Sequence, residues 1–334
     1  MAQYKTFAVV GLMAMTAGSV VQAETVLKLA TAAPENTPWG AQVNRLVKAV
    51  TEESEGRLKV EPYFNSQLGI ENDTLAQLAR GRIEMGLFTV NAASQQAPEI
   101  GLMQLSGIYD SNDQRACVQD KYLTDEIRER LGSKGVYFGG WGEIGNGWLV
   151  SDRPLTNPDA LKGLKIGISV NKNNTAYWRL LDANAVPVSP GEAASALSTG
   201  LVDVYPTVYS FYVPSGLNKI APVQTEYNYT NVPGMWAVSQ RVMDRMSEED
   251  QEALKRAFGR FTSKGMMDEV FAFEDKLRQM HIDGGGEVVT PTDDEIARFR
   301  EILPSFWAEM TAEYGADGEE IMALIEEGKA NCAP

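Results

Sequence analysis

The sequence predicts an α/β protein built as two similar lobes, on three observations. The phrase Leu78-x-x-Gly81-x-Ile83-Glu84-Met85 recurs as Leu197-x-x-Gly200-x-Val202-Asp203-Val204, with the two glycines 119 residues apart. Each copy closes a helical pattern at a glycine, which takes the left-handed backbone angle without a Cβ clash, and then opens a short apolar strand. The spacing is too long for a solenoid repeat and fits one helix–strand unit in each lobe. Strand and helix patterns also alternate along both halves of the chain, which argues for mostly parallel sheets covered by helices. Finally, the chain exceeds the roughly 250–300 residues at which a single core stops growing.

The first residues stand apart from the fold. Met1–Thr6 is polar and carries Lys5, Phe7–Val21 is apolar, and Val21-Gln22-Ala23 offers small residues for cleavage. This pattern reads as a signal peptide at 1–23 and places the mature chain in the periplasm. A transmembrane anchor is the weaker alternative, since the run is short and ends without a basic stop. No later stretch is apolar enough for insertion into a membrane.

Val26–Thr31 alternates as a first strand. Thr37-Pro38 then caps and starts a helix whose stripe is Val43, Leu46, Val47 and Val50, ending at Gly56. Leu58–Tyr63 is the second strand, residues 71–80 a helix, and 82–89 the third strand. A second series follows. Gly135–Trp141 and Trp148–Ser151 read as strands, 164–170 as a strand, and Asn174–Asp182 as a helix. Val186–Val188 is a short strand, and Ser189-Pro190-Gly191-Glu192 is a capping box leading into the second repeated phrase. Ser247–His281 reads as one helix of about 50 Å at 1.5 Å per residue, long enough to cross both lobes. Thr292–Tyr314 and Asp317–Lys329 are further helices, the first interrupted by Pro304.

Composition excludes several classes. Without residues 1–23 the chain keeps 29 basic against 45 acidic residues, a net charge of −16, which disfavours nucleic acid and anionic membranes as partners. Two cysteines in an exported chain, Cys117 and Cys332, read as one disulfide tying the C-terminal tail to the first lobe; two free thiols are the alternative. The sole histidine, His281, reads as a surface or cap residue. With one histidine there is no Ser-His-acid set and no metal-ligand cluster, so no catalytic residue, metal or cofactor is assigned. Gly139–Gly145 is glycine-rich but lacks the spacing of a phosphate loop.

Ligands of open α/β sheets bind beyond the carboxyl ends of strands, and there the chain concentrates aromatic and amide residues. The substrate-binding candidates are Trp39, Phe88, Thr89, Asn91, Trp141, Glu143, Asn146, Trp148, Ser169, Asn171, Tyr205, Thr207, Tyr209 and Trp236, with Tyr212 beside them. Taken singly, each such residue more often serves core or loop packing than ligand contact. Trp and Tyr pair flat apolar area with one polar handle, which suits a small organic solute. Lys172 and Glu143 are the charged residues assigned to the cleft, with loop-surface charge as their alternative.

Five segments carry a family resemblance: Lys28–Trp39 (KLATAAPENTPW), Asn65–Gly69 (NSQLG), Gln77–Gly86, Asp159–Ile166 (DALKGLKI) and Ala196–Asp203. Over residues 26–330 the chain resembles the DctP-type substrate-binding proteins of tripartite ATP-independent periplasmic (TRAP) transporters. The resemblance implies a periplasmic binding protein type II fold, two α/β lobes with hinge strands and a long lobe-spanning helix. The lobes are read as 24–147 plus 228–265 and 148–227 plus 266–334. It further implies a monomer that delivers solute to TRAP membrane permease subunits without ATP. One departure stands out: the family's carboxylate-pairing arginine after Lys165-Ile166 is replaced by Gly167, which argues against a typical C4-dicarboxylate. A sensor-type binding protein and an exported enzyme on the same fold are the alternatives.

Overall fold

Alternating burial makes the first strand an inner one: Leu27 and Leu29 are buried while Lys28 faces out. The computed structural model describes residues 25–169 and 171–333, and the signal segment read at 1–23 lies outside them. Nine strands are named in chain order: β1 Thr25–Thr31, β2 Leu58–Tyr63, β3 Met85–Thr89, β4 Val136–Ser151, β5 Lys165–Ile168, β6 Asn184–Pro187, β7 Tyr205–Thr207, β8 Val223–Ser239 and β9 Glu287–Val289.

The main sheet runs β2-β1-β3-β8-β4-β7, with β9 on the free stretch of β8. β1 pairs in parallel with β2 and β3, and β3 meets β8 antiparallel. β4 and β8 pair antiparallel from Val136↔Ser239 to Ser151↔Val223. At their other ends lie β7, the bridge Ile166↔Val204, and the parallel pair β5-β6. These two long strands carry the chain from one lobe to the other. The register of β4 shifts near Gly140 and Gly145, whose φ values are +153 and +140. Such bulges bend a strand and increase its twist, so the bend sits where the lobes join.

The sequence reading splits β4 in two and does not pick out β8. Its single helix over Ser247–His281 is also corrected. The chain forms two helices, Glu248–Gly259 and Ser263–Asp283. Phe261 turns into the core near Trp236, and Thr262 caps the second helix by accepting from the Gly265 N–H at 3.1 Å. The second helix packs on β4, on the helix Asn112–Val118 and on the turn Tyr209–Tyr212, so it still crosses both lobes. Thr292–Tyr314 likewise divides into Asp293–Arg300 and Leu303–Glu313.

One apolar cluster lies between β1, β3 and the helices Pro38–Glu53 and Glu248–Gly259. A second fills the smaller lobe around Val202, Tyr205 and Tyr212. The largest joins both lobes beneath the C-terminal helices. The last helix, Gly315–Asn331, packs on segments 98–104 and 119–123 of the first lobe, although the reading above 265 groups it with the second. Arg130 pairs with Asp317 at 2.9 Å and Glu320 at 2.6 Å, and Cys117 is bonded to Cys332 with Cα atoms 5.9 Å apart. His281 is buried rather than at the surface: its ring lies tilted against Tyr212 with centroids 5.0 Å apart and fills the space above Gly286.

Candidate functional site

The first wall of the site is made where β3 ends. Thr89 is the N-cap of the short helix Val90–Ala93, its hydroxyl accepting from the Ala92 N–H at 3.0 Å. The carboxylate of Glu71, at the start of the helix Glu71–Ala79, accepts from the Thr89 N–H at 2.6 Å and its hydroxyl at 2.8 Å. Burial pushes the Glu71 carboxyl above the usual range, and the two Thr89 bonds oppose that. An acid at a helix N-terminus is favoured by the exposed N–H groups there.

The opposite wall begins after β5. Asn171 caps the helix Lys172–Leu180 by accepting from the Asn174 N–H at 2.8 Å, while its Nδ2 donates to Asn91 Oδ1 at 2.7 Å. That second bond spans the gap between the lobes. Between the walls lies a cleft of about 1090 Å³. Its floor is the middle of β8, where the Thr230 hydroxyl donates to the Gln104 carbonyl at 2.8 Å and Gln104 Nε2 to the Asn231 carbonyl at 3.1 Å. Beneath it the hydroxyls of Tyr177 and Tyr227 meet at 2.7 Å, and Tyr227 meets Ser106 at 3.1 Å. Desolvation, then the neighbouring Tyr227, drives the Tyr177 phenol well up. At the rim Lys172 pairs with Glu313 and Arg179 with Glu309, and the Tyr314 hydroxyl donates to Asn173 Oδ1 at 2.9 Å.

The cleft brings together Trp39, Thr89, Asn91, Ser169, Asn171, Tyr205 and Thr207, with Lys172 at its edge. The other candidates lie elsewhere. Phe88 is fully buried, its ring filling the space over Gly86. Trp141 donates to the Gln119 carbonyl and to Thr124 behind β4. Trp236 is sealed in the first lobe's core. Tyr209 donates to Gln224, Trp148 packs near it with ring centroids 6.4 Å apart, and Tyr212 donates to the Ala221 carbonyl at 2.5 Å.

Glu143 is no cleft charge. It is buried against Arg115 at 3.0 Å and accepts from the Gly145 N–H at 2.9 Å. Glu274, on the helix Ser263–Asp283, is buried beside Gly145 and fills the space a Cβ there would need. Desolvation, then the Glu143 charge, pushes the Glu274 carboxyl well above the usual range. The one arginine there pairs with Glu143, which leaves burial and a like charge to raise Glu274. Asn146 is buried near the same bend.

Sequence reasoning passes over the β8 floor (Tyr229, Thr230, Val232), the segment 94–104, and Met310 and Tyr314 of the C-terminal wall. Alternating Thr, Tyr and Val residues in 225–232 are the signal that could have found the floor.

The profile of the DctP family, "Bacterial extracellular solute-binding protein, family 7", matches residues 29–314. A solute-binding protein of Chromohalobacter salexigens is 26% identical over 67% of each chain. The 2,3-diketo-L-gulonate-binding periplasmic protein of Escherichia coli is 21% identical over 83% of this chain and 84% of its own. Among solved structures, a TRAP periplasmic solute-binding protein of Chromohalobacter salexigens with bound D-glucuronate superposes with a TM-score of 0.83. It is 22% identical, and the match covers 91% of this chain and 99% of that one. A Haemophilus influenzae TRAP protein with bound L-gulonate gives 0.84 at 19% identity, over 92% and 100% of the chains. These likenesses fix a two-lobed periplasmic-binding fold.

Proposed function

This chain belongs to family 7 of the bacterial extracellular solute-binding proteins, and we propose that it is a periplasmic receptor that captures a small organic solute between its lobes and hands it to a TRAP membrane permease. The observation that carries this reading is the cleft itself. Two lobes joined by β4 and β8 enclose about 1090 Å³, and one hydrogen bond, Asn171 to Asn91, spans the gap. A cleft of this size between lobes is where small ligands lose most of their solvent contact, and hinge closure around them is the usual motion. The related proteins whose names mention a ligand bind sugar acids, a diketo-gulonate or C4-dicarboxylates.

The residues facing this cleft recognise solute through amide and hydroxyl groups set among aromatic faces. Trp39, Tyr205 and Tyr229 supply the faces; Asn91, Asn171 and Gln104 supply the polar contacts. Gly167 departs from the family's arginine. A Cβ there would lie 2.9 Å from Tyr205 Cδ2, so the tyrosine ring stands in the way of a longer side chain. A typical C4-dicarboxylate is therefore not the solute. The mature chain begins after residue 23 and acts as a monomer without catalytic activity.

Native mass spectrometry of the exported protein, freshly purified, tests the reading. A one-to-one complex with a small molecule, unchanged after prolonged incubation, is expected. A chemically converted ligand would favour an enzyme instead.

A further inference from the structure

The charges along the cleft wall, counted among the described residues, are Glu71, Lys172, Arg179, Glu309 and Glu313. Both cations are engaged: Lys172 by Glu313, and Arg179 by Glu309, with all four side chains at least two-fifths exposed at the rim. Inside, the only charge is an acid. Glu71, the first residue of the helix Glu71–Ala79, takes both the N–H and the hydroxyl of Thr89. These donors at the end of β3 are thus held by the protein's own carboxylate. On the second wall Asn171 caps the helix Lys172–Leu180 with its own side-chain oxygen, which takes the Asn174 N–H.

An anion entering this cleft would shed water beside Glu71 and meet no free cation, and buried charges without partners are strongly disfavoured. No ammonium group is needed to satisfy Glu71 either, since each of its oxygens already accepts from Thr89. Uncharged hydroxyls face a different wall. Asn91, Asn171, Asn173 and Gln104 present donors and acceptors, and the buried Nε1–H of Trp39 has no acceptor in the protein. The ring faces of Trp39, Tyr205 and Tyr229 suit the apolar side of a compact polyol.

Taking the chain as a solute receptor, we propose that its solute is uncharged: a polyol or neutral sugar held by amides and aromatic faces, with no ion pair. The specificity is set by exclusion as much as by attraction, because Glu71 holds the Thr89 donors and repels a second carboxylate.

The test has two arms on the full-length mature protein. In the first, any small molecule that co-purifies is released by denaturation and passed over anion and cation exchangers. An unretained species is expected; a retained one overturns the neutral-solute proposal and leaves the receptor reading standing. In the second, ligand-free protein is melted with matched probes: D-galactose and D-galacturonate, D-glucose and D-glucuronate, D-sorbitol and L-gulonate, and D-glucosamine. A neutral member should raise Tm by several degrees and bind at least tenfold more tightly than its acid. An acid or amine that stabilises as well as its neutral partner overturns the proposal. Protein that carries no small molecule and responds to no probe of either charge refutes the receptor reading, and the proposal with it.

Discussion

Gly167→Ala puts two opposed effects against each other at a strand glycine packed against Tyr205. Replacing a strand glycine by alanine ordinarily stabilises, by about 0.4–1 kcal/mol, because the unfolded chain loses freedom. Here the added methyl would lie 2.9 Å from Tyr205 Cδ2, with Val188 Cβ and Val202 Cγ1 at 3.4 Å. Carbon pairs are comfortable at about 3.5–4.0 Å, so the ring must move by roughly 0.6 Å or more. It has little room on the core side, since Tyr205 is 5% exposed and belongs to the smaller lobe's core. Overpacking of this kind costs about 1–3 kcal/mol, so the steric term wins. The net loss should be about 0.5–2 kcal/mol, or about 1–4 °C in Tm for a chain of this size. The assay is thermal and urea unfolding of four proteins: wild type, Gly167→Ala, Tyr205→Leu and the double variant. With the ring gone the methyl fits, so Gly167→Ala should turn neutral or stabilising in the Tyr205→Leu background, a coupling of at least about 1 kcal/mol. Stabilisation by Gly167→Ala in the wild type, or an equal cost in both backgrounds, would refute the claim that Tyr205 blocks this site.

Asn91→Ala removes the bond across the cleft. At about 0.5–1.5 kcal/mol for one hydrogen bond, solute affinity should fall two- to twelvefold by calorimetry while the Tm of ligand-free protein moves by less than about 1 °C; equal loss in both would refute the closing role. Changing both Cys117 and Cys332 to Ser opens a loop of 215 residues, for which chain entropy gives up to about 5 kcal/mol. Guanidinium midpoints that match the wild type would show that the last helix docks without the tether. For Glu274→Gln the sign follows from the raised carboxyl. The folded state keeps its proton above the unfolded value, so wild-type stability is full below about pH 4.3 and falls as pH climbs towards the folded value. The amide lacks that fall. The variant should gain on the wild type by up to about 1.4 kcal/mol per pH unit across the window, and parallel urea stability curves from pH 4 to 8 would exclude it.

The repeated helix–Gly–strand phrase was legible because it is local. A glycine stop and a following apolar strand need no partner to be read, and both copies run to the cleft, at Thr89 and Asn91 on one side and Tyr205 and Thr207 on the other. The long strand β8 was not legible in the same way. Pro233 and Gly234 interrupt its alternation, and its partner β4 lies some 80 residues earlier in the sequence, so its pairing is non-local. The break at Phe261-Thr262 also depends on a partner, since Phe261 leaves the helix to reach the core around Trp236.

Phe88 missed the cleft by parity. In a strand successive side chains point to opposite faces. Phe88 and Thr89 are neighbours, yet one packs over Gly86 in the core and the other reaches solvent at the wall. Counting aromatics at strand ends selects both and cannot choose between them. Charge misleads for a related reason. Glu143 reads as a cleft acid because carboxylates are seldom buried, but Arg115, 28 residues earlier, and Glu274, 131 residues later, close around it at the bend of β4. That burial has a consequence for the site. With Glu143 withdrawn behind the strand and the rim cations already paired, the interior charge of the cleft among the described residues reduces to Glu71 alone, which is the ground on which the proposal moves the choice of solute from ion pairing to amides and ring faces.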